Sequence, residues 1–139
     1  MTSYNYGSYI GAAIESVIAQ SFGDWELIIV DDCSSDDSWE VISKYTDPRI
    51  CAIRFESNKG AFSAYYQGVA ISRGRFLASL DSDDKFASNK LDAQWRIFES
   101  NPDIDICGTW VKEIDISGAE KVDLSQYGKN GRLQELFVG

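Results

Sequence analysis

Residues 76–84 read Phe-Leu-Ala-Ser-Leu-Asp-Ser-Asp-Asp, a short apolar run that ends in three carboxylates. With Gly74 before it and polar residues after it, the run predicts a buried strand over Phe76–Leu80. The acids then lie at the carboxyl end of a strand, where ligands bind in open α/β sheets. Carboxylates spaced as Asp-x-Asp can present oxygen atoms to one divalent cation such as Mg²⁺ or Mn²⁺. The stretch therefore predicts a metal-dependent site for an anionic ligand.

Around this stretch, apolar strands alternate with helical patterns. The predicted strands are Glu26–Val30, Ile50–Phe55, Phe76–Leu80, the alternating run Ile104–Trp110, and a short one around Val122 after a turn at Ser117–Gly118. Predicted helices begin near Ser8, at Ser34 or Ser35, after Gly60 and near Ser88, and a last one includes Leu133, Leu136 and Phe137. This alternation predicts βαβ units and a parallel sheet, so the fold class is α/β.

Two details of this pattern concern the helices. Ile10, Ile14, Val17 and Ile18 form an apolar stripe on the first helix, which follows a loop over 1–7 with Ser8 as its N-cap. In the helix after Gly60, the residues at helical spacing that we expect to be buried are Phe62, Tyr65, Tyr66 and Val69.

Composition limits the class of protein. The chain has 139 residues, 44% of them hydrophobic and 25% charged, which predicts one soluble globular domain over 1–139. A net charge of −9 argues against nucleic acid and anionic membranes as partners. We find no apolar run of transmembrane length and no signal peptide, so no membrane-spanning segment is expected in this chain.

Cysteine and histidine usage excludes several chemistries. Cys33, Cys51 and Cys107 are widely spaced and contain no Cys-x-x-Cys pair, which favours reduced thiols of the cytoplasm over disulfides or zinc. The chain has no histidine. This absence excludes Ser-His-Asp and Cys-His catalysis within these residues, and also histidine-ligated zinc.

A second acidic pair, Asp31-Asp32, follows the predicted strand Glu26–Val30. Since parallel strands end at one edge of their sheet, this pair and Asp81–Asp84 are expected to face one crevice. Two simpler interpretations stay open: Asp31-Asp32 can form a turn and helix cap, and Asp81–Asp84 can be a solvated acidic turn.

Neighbouring residues are assigned more modest roles. Asp36 and Asp37 are expected to serve the N-terminus of a helix, where its dipole favours negative charge. Lys59 could meet a phosphate or simply be solvated. Tyr4 and Tyr6 lie in a loop at the predicted ligand edge and are candidates for ligand contact.

The order and spacing of the motifs resemble those of a known family, the family 2 glycosyltransferases, in their nucleotide-sugar-binding half. The segments that carry this resemblance are Thr2–Asn5, Ser16–Phe22, Leu27–Ser34, Asn58–Gly60, Gly74–Phe76 and Leu80–Asp84. The resemblance implies a GT-A fold, a Rossmann-like α/β sandwich whose mostly parallel sheet is flanked by helices.

The resemblance also implies a function, an inverting hexosyl transfer from a nucleoside diphosphate sugar, in particular a UDP-sugar. The implied donor-binding residues are Thr2, Tyr4, Asp32, Asp81 and Asp83. Asp83 and Asp84 would hold the divalent Mg²⁺ or Mn²⁺. The acceptor would be a saccharide or lipid-linked saccharide of polysaccharide biosynthesis, and the expected location is the cytoplasm or the inner face of the membrane.

Three departures from the family pattern shape these expectations. The family begins with an apolar strand where this chain has only Met1, and it continues past Gly139 into an acceptor-binding half that supplies the catalytic base. Tyr66 stands where the family often has Asn. We therefore expect a fragment truncated at both ends and without an assignable base, and its activity in isolation stays open.

Two alternatives to a glycosyltransferase remain open at this stage. One is a non-catalytic module, a truncated remnant that binds nucleotide or packs against a partner. The other is a phosphoryl-transfer enzyme resembling haloacid-dehalogenase-like phosphatases, which use an Asp-x-Asp nucleophile. That family places Thr or Val where this chain has Lys85, and its motif follows the first strand.

Overall fold

The computed structural model describes residues 1–115 and the backbone of 120–123. The chain divides into two compact units, Met1–Asp92 and Ala93–Gly139. The first unit is built on a parallel sheet of strand order β1-β2-β3. Its strands are β1 (Thr2–Ser3), β2 (Leu27–Asp31) and β3 (Ile50–Arg54). The expected parallel α/β arrangement is thus confirmed.

Strand β1 was not expected, since the sequence predicts a loop from residue 1 to residue 7. The prediction is wrong because the backbone there pairs with the longer β2. The Val30 N–H donates to the Met1 carbonyl at 3.0 Å, and the Asp32 N–H donates to the Ser3 carbonyl at 2.8 Å. These bonds place Thr2 and Ser3 directly beside the carboxyl end of β2.

One face of β2 packs on helices α1 (Gly7–Ile18) and α2 (Ser38–Ile42). The buried apolar core consists of Ile10, Ile14, Val17, Leu27, Ile29, Ile42 and Leu80. Each such side chain contributes about 1.5–3 kcal/mol when it is fully removed from water. The predicted stripe of α1 is confirmed at Ile10, Ile14 and Val17, whereas Ile18 is only half-buried.

The predicted N-caps of both helices are wrong. Helix α1 begins at Gly7 rather than at a Ser8 cap, and helix α2 begins at Ser38, several residues after Ser34 and Ser35. One carboxylate replaces the expected caps: Asp36 accepts the Gly7 N–H at 2.9 Å and the Ser38 N–H at 3.0 Å. A side chain from one loop therefore fixes the start of both helices.

The opposite face of β2 packs on helix α3 (Ala61–Ile71), and here the prediction of the buried side is wrong. Ala64 is fully buried, and Gly68 lies over the methyl groups of Val30 and Ile28. The aromatic side chains are instead exposed, at 73% for Phe62, 48% for Tyr65 and 59% for Tyr66. Small residues bring this helix close to the sheet, and close approach leaves the bulky residues outside the contact.

The strand predicted over Phe76–Leu80 does not form among the described residues. Strand β1, at the edge of the sheet, has two residues, so a neighbouring segment would find very little backbone to pair with. Leu80 is nevertheless buried in the core, while Phe76 and Leu77 are 37% and 60% exposed. The acidic run is therefore anchored by a side chain and not by a strand.

The second unit contains most of helix α4 (Lys90–Ser100) and an antiparallel pair, β4 (Lys112–Ile114) and β5 (Glu120–Asp123). The short strand expected around Val122 is confirmed. The strand expected over Ile104–Trp110 is wrong: these residues form no strand, and the Cys107 carbonyl accepts a hydrogen bond from the Gln94 side chain of α4 at 2.9 Å. The predicted turn at Ser117–Gly118 and the helix with Leu133, Leu136 and Phe137 lie outside the described residues.

Across the described part of the chain, we find no helix that combines the length and apolar character required to cross a bilayer.

Candidate functional site

The two adjacent carboxylates at the end of β2 have separate environments. Asp31 is fully buried, forms an ion pair with Arg54 at 3.3 Å, and accepts hydrogen bonds from the backbone N–H (3.1 Å) and hydroxyl of Ser34. Its oxygens are therefore directed into the protein. Asp31 stabilises the turn after β2, as the simpler interpretation of the pair predicts.

Asp32 connects β2 to the start of α3. It is 2% exposed, and its two oxygens accept the backbone N–H groups of Lys59 at 2.6 Å and Gly60 at 2.8 Å. Gly60 has a φ of 88°, a left-handed conformation that favours glycine. The carboxylate thus fixes the loop that leads into α3.

The loop that carries Tyr4 and Tyr6 is held by hydrogen bonds to the turn after β2. Asn5 adopts a left-handed φ of 61°, and its N–H donates to the Ser34 hydroxyl at 2.9 Å. The Tyr6 N–H donates to the Ser38 hydroxyl at 2.9 Å. Because bonds on both sides restrain the backbone, the two tyrosines have defined positions at the sheet edge.

Asp36 supports the same loop, because its carboxylate accepts the Gly7 N–H. From the sequence, we expected it only to stabilise the N-terminus of one helix. Burial raises the pKa of this carboxyl, but hydrogen bonds from Ser38 and the Gly7 N–H outweigh burial and lower the pKa overall. The group therefore stays charged, as acceptance of these hydrogen bonds requires.

Glu26 fixes the segment that leads to the acidic run, and sequence reasoning missed it. Its carboxylate accepts the backbone N–H of Arg73 at 2.6 Å and of Gly74 at 3.0 Å. The Arg73 guanidinium also pairs with it at 3.0 Å. Hydrogen bonding from Arg73 accordingly lowers the pKa of Glu26. The one feature of the sequence that could have indicated this role is the position of Glu26, one residue before β2.

The acidic run itself forms a turn in which the Asp84 N–H donates to the Asp81 carbonyl at 3.2 Å. Ser82 is 4% exposed, whereas the acids on both sides of it are exposed. Burial raises the pKa of Asp84, and the negative charges of Asp83 and Asp81 raise it further. The carboxylates are therefore close enough to repel one another.

These segments surround a cleft of about 290 Å³. The residues that line it are Thr2, Ser3, Tyr4, Tyr6, Asp32, Ala61, Asp81, Ser82 and Asp83. The cleft brings together all five residues implied for donor binding, Thr2, Tyr4, Asp32, Asp81 and Asp83. Asp84, implied as a metal ligand, is not among the lining residues.

Ser3 is a lining residue that sequence reasoning did not single out. It is 2% exposed, and its hydroxyl oxygen has no hydrogen-bond partner among the residues that the structure describes. A buried hydroxyl without a partner is costly in a folded protein, and a ligand or a water molecule commonly satisfies it. Ser3 lines the cleft, but its hydroxyl oxygen is itself buried beneath the cleft surface.

The described residues contain no group of three or more His, Cys, Asp or Glu side chains placed to hold a metal ion. The donor set of the cleft suits another mode, in which Mg²⁺ or a similar cation takes one or two carboxylates and completes its shell with phosphate and water. Asp83, which lines the cleft, offers one such carboxylate, whereas Asp84 does not line it.

A larger groove of about 670 Å³ lies elsewhere on the first unit. It is lined by Glu15, Ile18, Val41, Lys44, Tyr45, Thr46, Asp47 and Pro48. None of the residues implied for donor or metal binding lines it, so size alone does not identify the functional site.

Comparison with known proteins agrees with the fold and the motif order. Residues 1–136 match the family described as Glycosyl transferase family 2. Since this match covers nearly the whole chain, the chain belongs to that family.

Two relatives illustrate the similarity. The putative teichuronic acid biosynthesis glycosyltransferase TuaG of Bacillus subtilis (strain 168) is 43% identical over 94 residues, covering 66% of this chain and 37% of the relative. The UDP-Glc:alpha-D-GlcNAc-diphosphoundecaprenol beta-1,3-glucosyltransferase WfaP of Escherichia coli is 38% identical over 100 residues, covering 72% and 40%. The matched region is thus well under half of either relative.

Solved structures support the fold. The structure of S. aureus TarS residues 1–349 in complex with UDP-GlcNAc has a TM-score of 0.69 at 25% identity, covering 73% of this chain and 30% of that TarS fragment. The mannosyltransferase PcManGT from Pyrobaculum calidifontis, in complex with GDP-Man and Mn²⁺, also has a TM-score of 0.69, at 17% identity, covering 81% and 34%. These likenesses confirm the expected GT-A fold.

Proposed function

We propose that residues 1–139 form one donor-binding domain of an inverting glycosyltransferase that uses a nucleoside diphosphate sugar, specifically a UDP-sugar. One observation carries the proposal: a single cleft is lined by all five residues that the family resemblance implies for the donor. The complexes of TarS with UDP and with UDP-GlcNAc support the choice of nucleotide.

The cleft offers complementary groups to such a donor. Thr2, Tyr4 and Asp32 would contact the nucleoside. Although both Asp32 oxygens already accept backbone N–H groups, a carboxylate has about four acceptor positions, so a further donor can bind.

A divalent Mg²⁺ or Mn²⁺ would be held by Asp83, which lines the cleft, and by Asp84 next to it. When bound, such an ion neutralises the diphosphate and stabilises the charge on the departing nucleoside diphosphate. The Mn²⁺ in the PcManGT complex supports this part of the proposal. The carboxylates of this chain supply the hard oxygen ligands that the ion prefers.

In the proposed reaction, an acceptor hydroxyl attacks the anomeric carbon from the side opposite to the diphosphate. The bond from that carbon to the diphosphate oxygen breaks, the nucleoside diphosphate leaves with the bonding electrons, and the configuration inverts. The proton of the acceptor hydroxyl passes to a carboxylate base, which we assign to none of the described residues. The name of the Escherichia coli relative, which includes a diphosphoundecaprenol-linked acceptor, supports a lipid-linked saccharide as acceptor. The proposed location is the cytoplasmic face of the membrane.

The proposal is tested by thermal denaturation with UDP-glucose or UDP-GlcNAc and Mn²⁺. A ligand at ten times its Kd stabilises the folded state by about 1.4 kcal/mol, which raises the Tm by roughly 3–6 °C. Free glucose or GlcNAc with Mn²⁺ serves as the matched control and should leave the Tm unchanged. If a panel of UDP-, GDP- and dTDP-sugars with Mn²⁺ produces no shift, the proposal is wrong.

One observation favours a second candidate, a module that binds nucleotide or a protein partner without catalysis. The aromatic side chains of Phe62, Tyr65 and Tyr66 are exposed on α3, as the contact surface of a partner would be. Transfer of sugar from the donor by this chain alone would exclude the second candidate.

A further inference from the structure

The segment Ser16–Phe22 belongs to the motifs that resemble the family, but no role follows for it from the sequence. In the structure, this segment forms the end of α1 and the turn after it. Three of its residues make hydrogen bonds to Phe86–Leu91, the segment directly after the acidic run. These contacts join the motif to the segment that directly follows the acidic residues of the cleft.

Gln20 makes the largest share of these contacts. It is 8% exposed, and its amide nitrogen donates to the Ala87 carbonyl at 2.7 Å and to the Ser16 carbonyl at 3.0 Å. Its amide oxygen accepts the Leu91 N–H at 3.0 Å. One buried side chain thus links α1 to two points of the following segment.

Two serines extend the contact. The Ser16 hydroxyl accepts the Phe86 N–H at 3.0 Å, and the Ser21 N–H donates to the Ser88 carbonyl at 2.8 Å. With the bonds of Gln20, this makes a continuous row along residues 86–91. We call Ser16, Gln20 and Ser21 the α1 clasp.

The clasp matters because the acidic run itself has no regular secondary structure. Neither helix nor strand is present between the end of α3 at Ile71 and the start of α4 at Lys90. Leu80 anchors the run on one side through the apolar core. On the other side, Phe86 is only three positions after Asp83. Even a fully extended chain covers at most about 10 Å over three residues, so the position of Phe86 limits the position of Asp83.

We propose that the α1 clasp, and Gln20 above all, positions Asp81–Asp84 in the cleft for metal-dependent donor binding. Gln20 is a positioning residue: it contacts no cleft surface and acts through the backbone of residues 87 and 91. The inference rests on the proposed function, since it assigns the motif to the metal-binding side of that site.

The test compares two ligands on the same protein, UDP and uridine, in titrations with and without Mn²⁺. Uridine has no phosphate and reports on the nucleoside side of the cleft alone. In Gln20→Ala, we expect the Mn²⁺-dependent gain in UDP affinity to fall at least tenfold, while the uridine Kd changes less than twofold. A merely structural role would affect both ligands equally.

Two further variants sharpen the comparison. Gln20→Met keeps the volume without the hydrogen bonds, so it should reproduce the loss even if the alanine variant folds poorly. Gln94→Ala removes another glutamine that binds a backbone carbonyl, that of Cys107, and it should leave both affinities unchanged.

The outcomes separate the two levels of the proposal. Equal losses for UDP and uridine, or no loss for either, would overturn the role of the clasp while leaving the proposed function in place. Absence of any Mn²⁺-dependent gain in the unaltered protein would overturn the proposed function and this inference together.

Discussion

Replacement of Asp31 by alanine is expected to lower the free energy of unfolding by about 2–4 kcal/mol. The carboxylate is fully buried, and its removal leaves the Ser34 N–H and hydroxyl without their acceptor. Arg54 also loses its ion pair, although it is 39% exposed and can turn towards water. The Ser34 hydroxyl in turn accepts the Asn5 N–H, so the loop with Tyr4 and Tyr6 should loosen as well.

Urea denaturation measures this effect, with Asp24→Ala as the matched control. Asp24 is an exposed acid outside the cleft, so its removal should change the free energy of unfolding by less than about 0.5 kcal/mol. Asp31→Asn keeps the shape and one acceptor oxygen, and it should lie between the alanine variant and the unaltered chain. If the Asp31→Ala protein is as stable as the control, Asp31 does not stabilise the turn after β2.

Replacement of Asp83 by alanine is expected to weaken Mn²⁺-dependent donor binding at least a hundredfold, equivalent to about 2.8 kcal/mol. Asp83 lines the cleft and is exposed, so its removal deletes the proposed metal ligand without disturbing the core. Repulsion among the carboxylates should also decrease, because the charge of Asp83 contributes to the raised pKa of Asp84. The variant should therefore fold at least as well as the unaltered protein.

Calorimetric titration with UDP-glucose and Mn²⁺ measures the loss, and Asp24→Ala again controls for the removal of one negative charge. The control should bind the donor with unchanged affinity. Equal donor affinity of Asp83→Ala and the control would show that the acidic run does not take part in binding.

Much of the fold follows from local sequence patterns. The strand Leu27–Asp31 was predictable because a buried strand requires a continuous apolar run. The apolar stripe of α1 was predictable because a helix buries residues at helical spacing. Part of the cleft was predictable for a related reason. Parallel strands end at one edge of their sheet, so Asp32, directly after β2, was expected at the ligand edge. The acidic run lies in the cleft without the strand that was predicted to place it there.

What could not be predicted depends on contacts between distant residues. Asp31 and Asp32 are equivalent in sequence, yet successive side chains at a strand end point in opposite directions. One therefore meets Ser34 and Arg54, and the other meets the loop before α3. No local pattern distinguishes them.

The remaining errors have the same origin. The size of Phe62 suggested a buried face on α3, but Ala64 and Gly68 determine which side can approach the sheet. The clasp on Gln20 was equally invisible, since its partners lie about seventy residues further along the chain.

The central claim, that this cleft binds the donor, is tested most directly by a crystal structure of the protein with UDP-GlcNAc and Mn²⁺. We predict electron density for the nucleotide between Tyr4 and Asp32, and an anomalous Mn²⁺ signal in contact with Asp83. Nucleotide density in the groove beside Glu15 and Tyr45, or an ordered diphosphate remote from Asp83, would contradict the claim.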